Sequence, residues 1–583
     1  MLHPFKRKTK HSTYYYPGQE MDLPQRAPLN WKNPKQSAEK EISRLGRMYI
    51  VLLGVVVSFA APSIYLTSFL YGTPRLPVTA QAQSQIAPFE IKMSRGDLLD
   101  RNGKLLATNL PSVNLLAYPQ KVKNAESVAM AVVQTFPDLS YQDVLRKLKS
   151  NKKVVYLKKR LTPSEHYEAN RLGFPSLDFE HKETRIYPRG RLFSHLTGRT
   201  DSDTNGISGM EKALDGKLGK ELKNVRLTVD MGVQDSVRTI LQKKMAQTKA
   251  QGASAILMNA KTAEIIAMVT LPDFDPNLPL SAANKEELNA ATKGVYEFGS
   301  VMKLFNAAIG LETKKAKLSD TFDSSQPIHL AKFTISDDEH ARGILTLPDV
   351  LIRSSNVGSA TIALNIGEEK QREYLEKFGF LNPLSVELPE KGKPLFPKRR
   401  GSTEVATASY GYGISVTQLH VVAAAAALVN GGTYRTPRFF IDANENEADA
   451  KKIISKKTSD KIRAMMRMVV LKGTGRRANV AGYEVGGKTG SARKRVNGKY
   501  AKNLVITSFL SAFPMDDPEY VLMVTIDAPQ RTAETENQVN AAFNAVPAAK
   551  EIIETVAPQL RIVPRPYEPT QTAPYVRRIL SEN

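Results

Sequence analysis

The chain has 583 residues, 82 of them Lys or Arg against 58 Asp or Glu for a net charge of +24, with 42% hydrophobic residues, eight histidines and no cysteine. Without thiols there are no disulfides, cysteine-ligated metal centres or thiol nucleophiles, so any covalent catalysis must use another side chain. The apolar content suffices for buried cores, the length suits several domains, and the charge alone points to a polyanion, nucleic acid first, as a neighbour.

Residues 1–47 form a basic tail with ten Lys/Arg and four acids. Residues 48–70 contain no charged residue and no histidine. As a helix they reach about 34 Å, enough to cross a hydrocarbon core of roughly 30 Å, and they predict a transmembrane span. The apolar core of a cleaved signal peptide would be shorter. The basic tail orients the span with the N-terminus cytoplasmic and the rest of the chain outside, in the periplasm of a bacterium with two membranes. A DNA-binding body has little to bind there, so nucleic acid is set aside and anionic lipid or wall polymer replaces it.

A Pro/Gln/Ala-rich connector spans residues 72–88. The stretches KVVYLKKRL and FEHKETRIYP then alternate apolar and polar residues, predicting an irregular, strand-containing module that ends near residue 224. From residue 225 the pattern tightens. VRLTV reads as a strand, and Asp230 is placed to cap a helix with Val233, Val237, Ile240, Leu241 and Met245 on its apolar face. Residues 253–259 and 265–270 predict a hairpin. A mostly helical middle follows, including VTQLHVVAAAAALVNGG with its Gly-Gly stop, and then strands at 483–487, 504–513 and 520–526. Two strands, helices, then three strands argue for an α+β domain with one antiparallel sheet. The Pro- and Arg-rich end, residues 561–583, reads as a loosely ordered tail.

With no cysteine and few histidines, the chemistry to look for is a serine with a lysine base. S-x-x-K puts both side chains on one helical face. It occurs at Ser37/Lys40, Ser150/Lys153, Ser300/Lys303 and Ser491/Lys494. Only Ser300/Lys303 follows a turn-forming Gly299 and precedes an apolar helix (Leu304, Phe305, Ala308, Ile309) able to exclude water. Ser354-Ser355-Asn356 offers a hydroxyl and an amide, though S-x-N also recurs at residues 112–114 and 581–583. Lys488-Thr489-Gly490 occurs once, followed by Ser491. It reads either as a turn with an exposed lysine or as a sheet edge where glycine allows close approach and Lys, Thr and Ser grip a carboxylate, as in strand addition by a peptide.

S-x-x-K, S-x-N and K-T-G in this order resemble the motif set of penicillin-binding proteins and serine β-lactamases. RGDLLDRNGKLLATN, RIYPRGRLFSHLTG and GISGMEKALDGKL resemble the pedestal module of class B penicillin-binding proteins, and TVDMGVQ, SSNVGSA, SYGYGISVTQLH and GGKTGSA their transpeptidase domain. The resemblance covers residues 95–546. Ser354-Ser355-Asn356 and the SYGYG run at 409–413 resemble the septal, division-specific type, since elongation-type relatives usually have S-x-D. The resemblance implies an α+β transpeptidase domain (225–560) with an antiparallel sheet and helices, an elongated pedestal (71–224), one transmembrane helix (48–70), a cytoplasmic tail (1–47) and a C-terminal tail (561–583).

It also implies a peptidoglycan D,D-transpeptidase. Ser300 would attack the carbonyl between the terminal D-Ala residues of a stem peptide, Lys303 would take its proton when neutral, and Ser354 would relay the proton to the leaving amine. Asn356 would bond the donor's backbone amide, while Lys488, Thr489 and Ser491, with Gly490 allowing close approach, would hold the terminal carboxylate. The N–H groups of Ser300 and Ser491 would form the oxyanion hole. No metal or cofactor is implied. The implied partners are lipid II-derived stem peptides, penicillin and other β-lactams, a SEDS-type glycosyltransferase, other divisome proteins and the inner membrane at the septum. An elongation-type enzyme and a largely non-catalytic divisome scaffold are the competing readings. Phe298 and Leu304 stand where the family usually or often has Pro, and Ser491 where Thr is commoner.

Overall fold

A computed structural model describes residues 95–581 except 279–286, 332, 398–400, 442–449, 497 and 567–573, together with residues 49, 50, 53, 54, 56, 58 and 60. The chain divides into two compact units, Met1–Ile91 and Lys92–Asn583. In the first, the seven described residues are helical. The span expected at 48–70 lies mostly outside the described residues, and among those described no helix is long and apolar enough to cross a membrane.

The second unit begins with a five-stranded sheet. Its long strand Leu105–Ala117 pairs antiparallel with Leu177–Ile186 along its length and with Val155–Leu161 at its far end. Helices Ala125–Thr135 and Tyr141–Leu148 close one face through Val128, Val132, Phe136, Val144 and Leu148, packed on Leu115 and Leu157. Three segments distant in sequence meet on one buried carboxylate: Arg95 and Arg185 each place Nε 2.7 Å from Glu211. Arg95 also reaches Asp215 at 2.7 Å. Buried charges are tolerated when they are paired, and here two guanidiniums meet two carboxylates.

The short strand Leu98–Leu99 pairs parallel with Val225–Arg226, which leads into the helix Met231–Thr248. Asp230 caps that helix, accepting from the N–H groups of Gly232 and Val233, as its position predicts. The second sheet is antiparallel throughout, in the order Gly486–Val496, Lys499–Phe513, Tyr520–Asp527, Gly252–Asn259, Ile265–Leu271. Helices Met231–Thr248 and Ala545–Gln559 cover one face through Val237, Leu241, Ile552 and Val556. Helices Gln418–Val429, Met302–Glu312 and Lys456–Lys472 cover the other. Burial on both faces explains why the inner strands read as continuous apolar runs rather than alternating ones. The Ala-rich helix Gln418–Val429 is buried on every side, and Gly431 and Gly432 end it at φ 89° and 100°.

Two expectations are corrected. The strand expected at 483–487 begins at Gly486 and runs to Val496, so the K-T-G triplet lies inside it, as the sheet-edge reading expects. The C-terminal end is not all loose: Pro574–Ser581 is a helix whose Val576 and Ile579 are buried against Ala464 and Met468. Two aliphatic side chains at helical spacing, each contributing roughly 1.5–3 kcal/mol when buried, dock it despite the flanking charge.

Candidate active site

Ser300 stands in a single 3-10 turn, Gly299–Val301, that runs into the helix Met302–Glu312. Three glycines make room for this turn. Gly299 itself has φ 56°, and a Cβ there would lie 3.0 Å from Ser491 O. A Cβ on Gly411 would lie 2.2 Å from Gly299 O, and one on Gly490 2.3 Å from Phe298 O. The Ser300 turn is therefore held between the edge strand of the sheet and the turn after helix Ser402–Ser409. Phe298 takes φ −96° and ψ 7°, outside the range of proline, and its buried ring meets Tyr296 edge-on at 6.1 Å. Leu304 is fully buried in the helix.

The helix turns Lys303 inward, where it is 1% exposed. Its Nζ donates to Ser354 O at 2.5 Å and to Asn356 Oδ1 at 2.7 Å, with Ser354 Oγ at 3.3 Å. Burial pushes the amine down to about 7, against the pull of Asp337 and Asp338 toward the charged form. A neutral amine has two N–H donors and one lone pair. The two short contacts use the donors, and the lone pair remains for a hydroxyl proton. Ser354 sits between helices Leu347–Ile352 and Asn356–Ile366 in a left-handed conformation, φ 63°, that points its hydroxyl at both lysines.

From the edge strand, Lys488 reaches the same hydroxyl: Nζ to Ser354 Oγ is 2.9 Å. Lys488 is fully buried, and burial, then the like charge of Lys303, holds its amine well below the ordinary range. Ser354 Oγ thus accepts from Lys488 and keeps its own proton to give. Thr489 Oγ lies 2.7 Å from Thr474 Oγ, which comes from the loop after helix Lys456–Lys472. Gly490 is the point of contact with the Ser300 turn. Ser491, exposed at the strand edge, accepts from Ala541 N at 3.1 Å, leaving its hydroxyl proton free to donate. The three sequence motifs, spread over residues 300–491, are brought together by helix, loop and strand.

Three residues at this site carry no sequence signal strong enough to single them out. Asp337 accepts from Ser355 Oγ and from the N–H groups of Asn356 and Val357. Thr474 backs Thr489. Glu297, 4% exposed, accepts from Gly413 N at 3.0 Å and from Tyr500 Oη at 3.0 Å, tying the Ser300 turn to the turn after helix Ser402–Ser409 and to the strand Lys499–Phe513. An acidic residue amid the apolar YEFG stretch is the one hint of it. Among the described residues no cluster of His, Cys, Asp or Glu could hold a metal.

A hydroxyl at a helix start, a buried amine free to be neutral, a second hydroxyl bridging to a second amine and a sheet edge open to an extended peptide are the parts of a serine acyl-transfer site. Residues 253–552 match the family model of the penicillin binding protein transpeptidase domain, and residues 90–247 that of the penicillin-binding protein dimerisation domain. The chain is 33% identical over 485 residues to the probable peptidoglycan D,D-transpeptidase FtsI of Caulobacter vibrioides, covering 81% of this chain and 82% of that protein. It is 30% identical over 567 residues to stage V sporulation protein D of Bacillus subtilis, covering 89% and 86%. Its fold matches that of penicillin binding protein 3 from Mycobacterium tuberculosis, complexed with aztreonam, at a TM-score of 0.64 and 24% identity over 82% of this chain and 98% of that one. The chain belongs to the penicillin-binding protein transpeptidase family, with the dimerisation module that precedes the transpeptidase domain in class B members.

Proposed function

We propose that this chain is a peptidoglycan D,D-transpeptidase that cross-links stem peptides through an acyl-enzyme on Ser300. The observation that carries the reading is the Lys303–Ser354–Lys488 array, three side chains joined within 3.3 Å, with Lys303 one helical turn from Ser300. A donor peptide ending in D-Ala-D-Ala lies along the edge strand, its carboxylate met by Lys488, Thr489 and Ser491 and its backbone amide by Asn356. Ser300 Oγ bonds to the penultimate carbonyl carbon and passes its proton to Lys303. The oxyanion is met by the N–H groups of Ser300 and Ser491, such donors contributing about 3 kcal/mol each. The C–N bond breaks as Ser354 delivers a proton to the departing D-Ala, and Lys303 replenishes Ser354. A second peptide's amine then attacks the ester, returns a proton to the array and frees Ser300. β-Lactams enter the same sequence and stop at the acyl-enzyme.

The S-S-N and SYGYG segments, together with similarity to FtsI of Caulobacter vibrioides, favour a septal role. We place the protein in the inner membrane through residues 48–70, with a lipid II-polymerising SEDS-type glycosyltransferase and other divisome proteins as its partners. Ser300→Ala tests the core of the reading: labelling by a fluorescent penicillin should vanish while the circular dichroism spectrum is kept, and stoichiometric labelling of that variant refutes it.

A further inference from the structure

We propose that Asp337 is a positioning residue for acyl transfer: its buried carboxylate fixes the Ser354–Asn356 loop and sets a negative charge behind the groups that hold Lys303. This rests on the reading of Ser300 and Lys303 as nucleophile and base. Asp337 lies just after the strand Phe333–Ile335 and is 6% exposed. It sits at the N-terminus of the 11-residue helix Asn356–Ile366, taking the N–H groups of Asn356 and Val357 and the hydroxyl of Ser355. Ser355 Oγ in turn accepts from Gly358 N at 2.8 Å. A carboxylate among free N–H groups at a helix start is favoured by the helix dipole. Its effect is to pin the segment that follows the strained residue, Ser354 at φ 63°, so that Ser354 O and Asn356 Oδ1 stay within 2.7 Å of Lys303 Nζ.

The charge acts on Lys303 as well. The charged groups that face Lys303 are Lys488 from the edge strand and Asp337 and Asp338 from this loop. Elsewhere on the packed elements, helix Asn356–Ile366 carries no titratable side chain, Ser402–Ser409 carries only Glu404, Asp349 of Leu347–Ile352 is turned to Thr346, and Arg467 of Lys456–Lys472 donates to Val485 O. Against burial, which favours a neutral amine, the two aspartates favour the ammonium. A base works best when its pKa lies near the operating pH. Asp337 therefore keeps Lys303 from becoming too weak to draw a proton from Ser300.

The test is the acylation rate of the full chain by a chromogenic penicillin from pH 5 to 9 in wild type, D337N and D337E. D337N keeps an acceptor for Asn356 N and removes the charge. Its alkaline-rising limb should move down by about one pH unit, with a lower plateau, whereas D337E should restore the midpoint. A lowered plateau with an unmoved midpoint overturns the proposal by reducing Asp337 to a structural cap. Should D337N not fold, D337E, which keeps the charge, should hold the wild-type midpoint, and a midpoint moved downward there overturns it equally. If wild type itself is not acylated, the reading of the site falls first and the proposal with it.

Discussion

Replacing Lys303 by Met should abolish acylation and flatten the rise of stability with pH. The amine is 1% exposed and falls from 10.5 to about 7 on folding, so the unfolded chain binds more protons throughout that window. Stability contributed by this group is therefore lowest below pH 7 and recovers as pH rises toward 10.5, a total of roughly 5 kcal/mol. Between pH 7 and 9 alone, wild type should gain about 2.5 kcal/mol more than Lys303→Met, which has no charge to bury at this position. What the variant gains at pH 7 by burying no amine is offset by two acceptors left without a donor, Ser354 O and Asn356 Oδ1, at about 1–3 kcal/mol each if they stay dry. The pH dependence is the cleaner readout for that reason. Removing Lys303 also relieves the like charge on Lys488, which flattens the variant's slope further. Urea unfolding of both proteins at pH 7 and 9 measures the difference, and penicillin labelling scores the loss of acylation. Parallel pH slopes in the two proteins would show that Lys303 is not buried as an ionisable base and would refute the reasoning.

Gly490→Ala places a methyl 2.3 Å from Phe298 O and 2.6 Å from Ser508 Oγ, so it should cost about 1–3 kcal/mol in unfolding measurements and slow acylation by pushing the nucleophile turn off the strand. Val576→Asp should release the C-terminal helix from Ala464 and Met468, detected as faster proteolysis after residue 566 with penicillin labelling retained.

The sequence carried the parts of the site that depend on local periodicity. Ser300 and Lys303 are one helical turn apart, and Gly299 marks the bend before them, so their shared face follows from spacing alone. The helix begun by Asp230 and the Gly-Gly stop at 431–432 are likewise local events. The edge strand was harder to bound. Gly486–Val496 is rich in Gly, Lys and Arg, residues that disfavour strand, and it holds its conformation by pairing with Lys499–Phe513. Asp337, Thr474 and Glu297 were not legible because their meaning lies in partners 18, 15 and 203 residues away. The terminal helix was hidden by composition: Val576 and Ile579 make an apolar pair too short to stand out among arginines and prolines, and only the groove beside Met468 gives it a reason to fold.

The central claim is that a neutral Lys303 activates Ser300. It is tested most directly by rapid-quench acylation of the full chain with penicillin from pH 5 to 9, followed by mass mapping of the adduct. The account predicts a rate that rises with pH through about 7 and a single adduct on Ser300. A rate indifferent to pH across that range, or an adduct on any other residue, would contradict it.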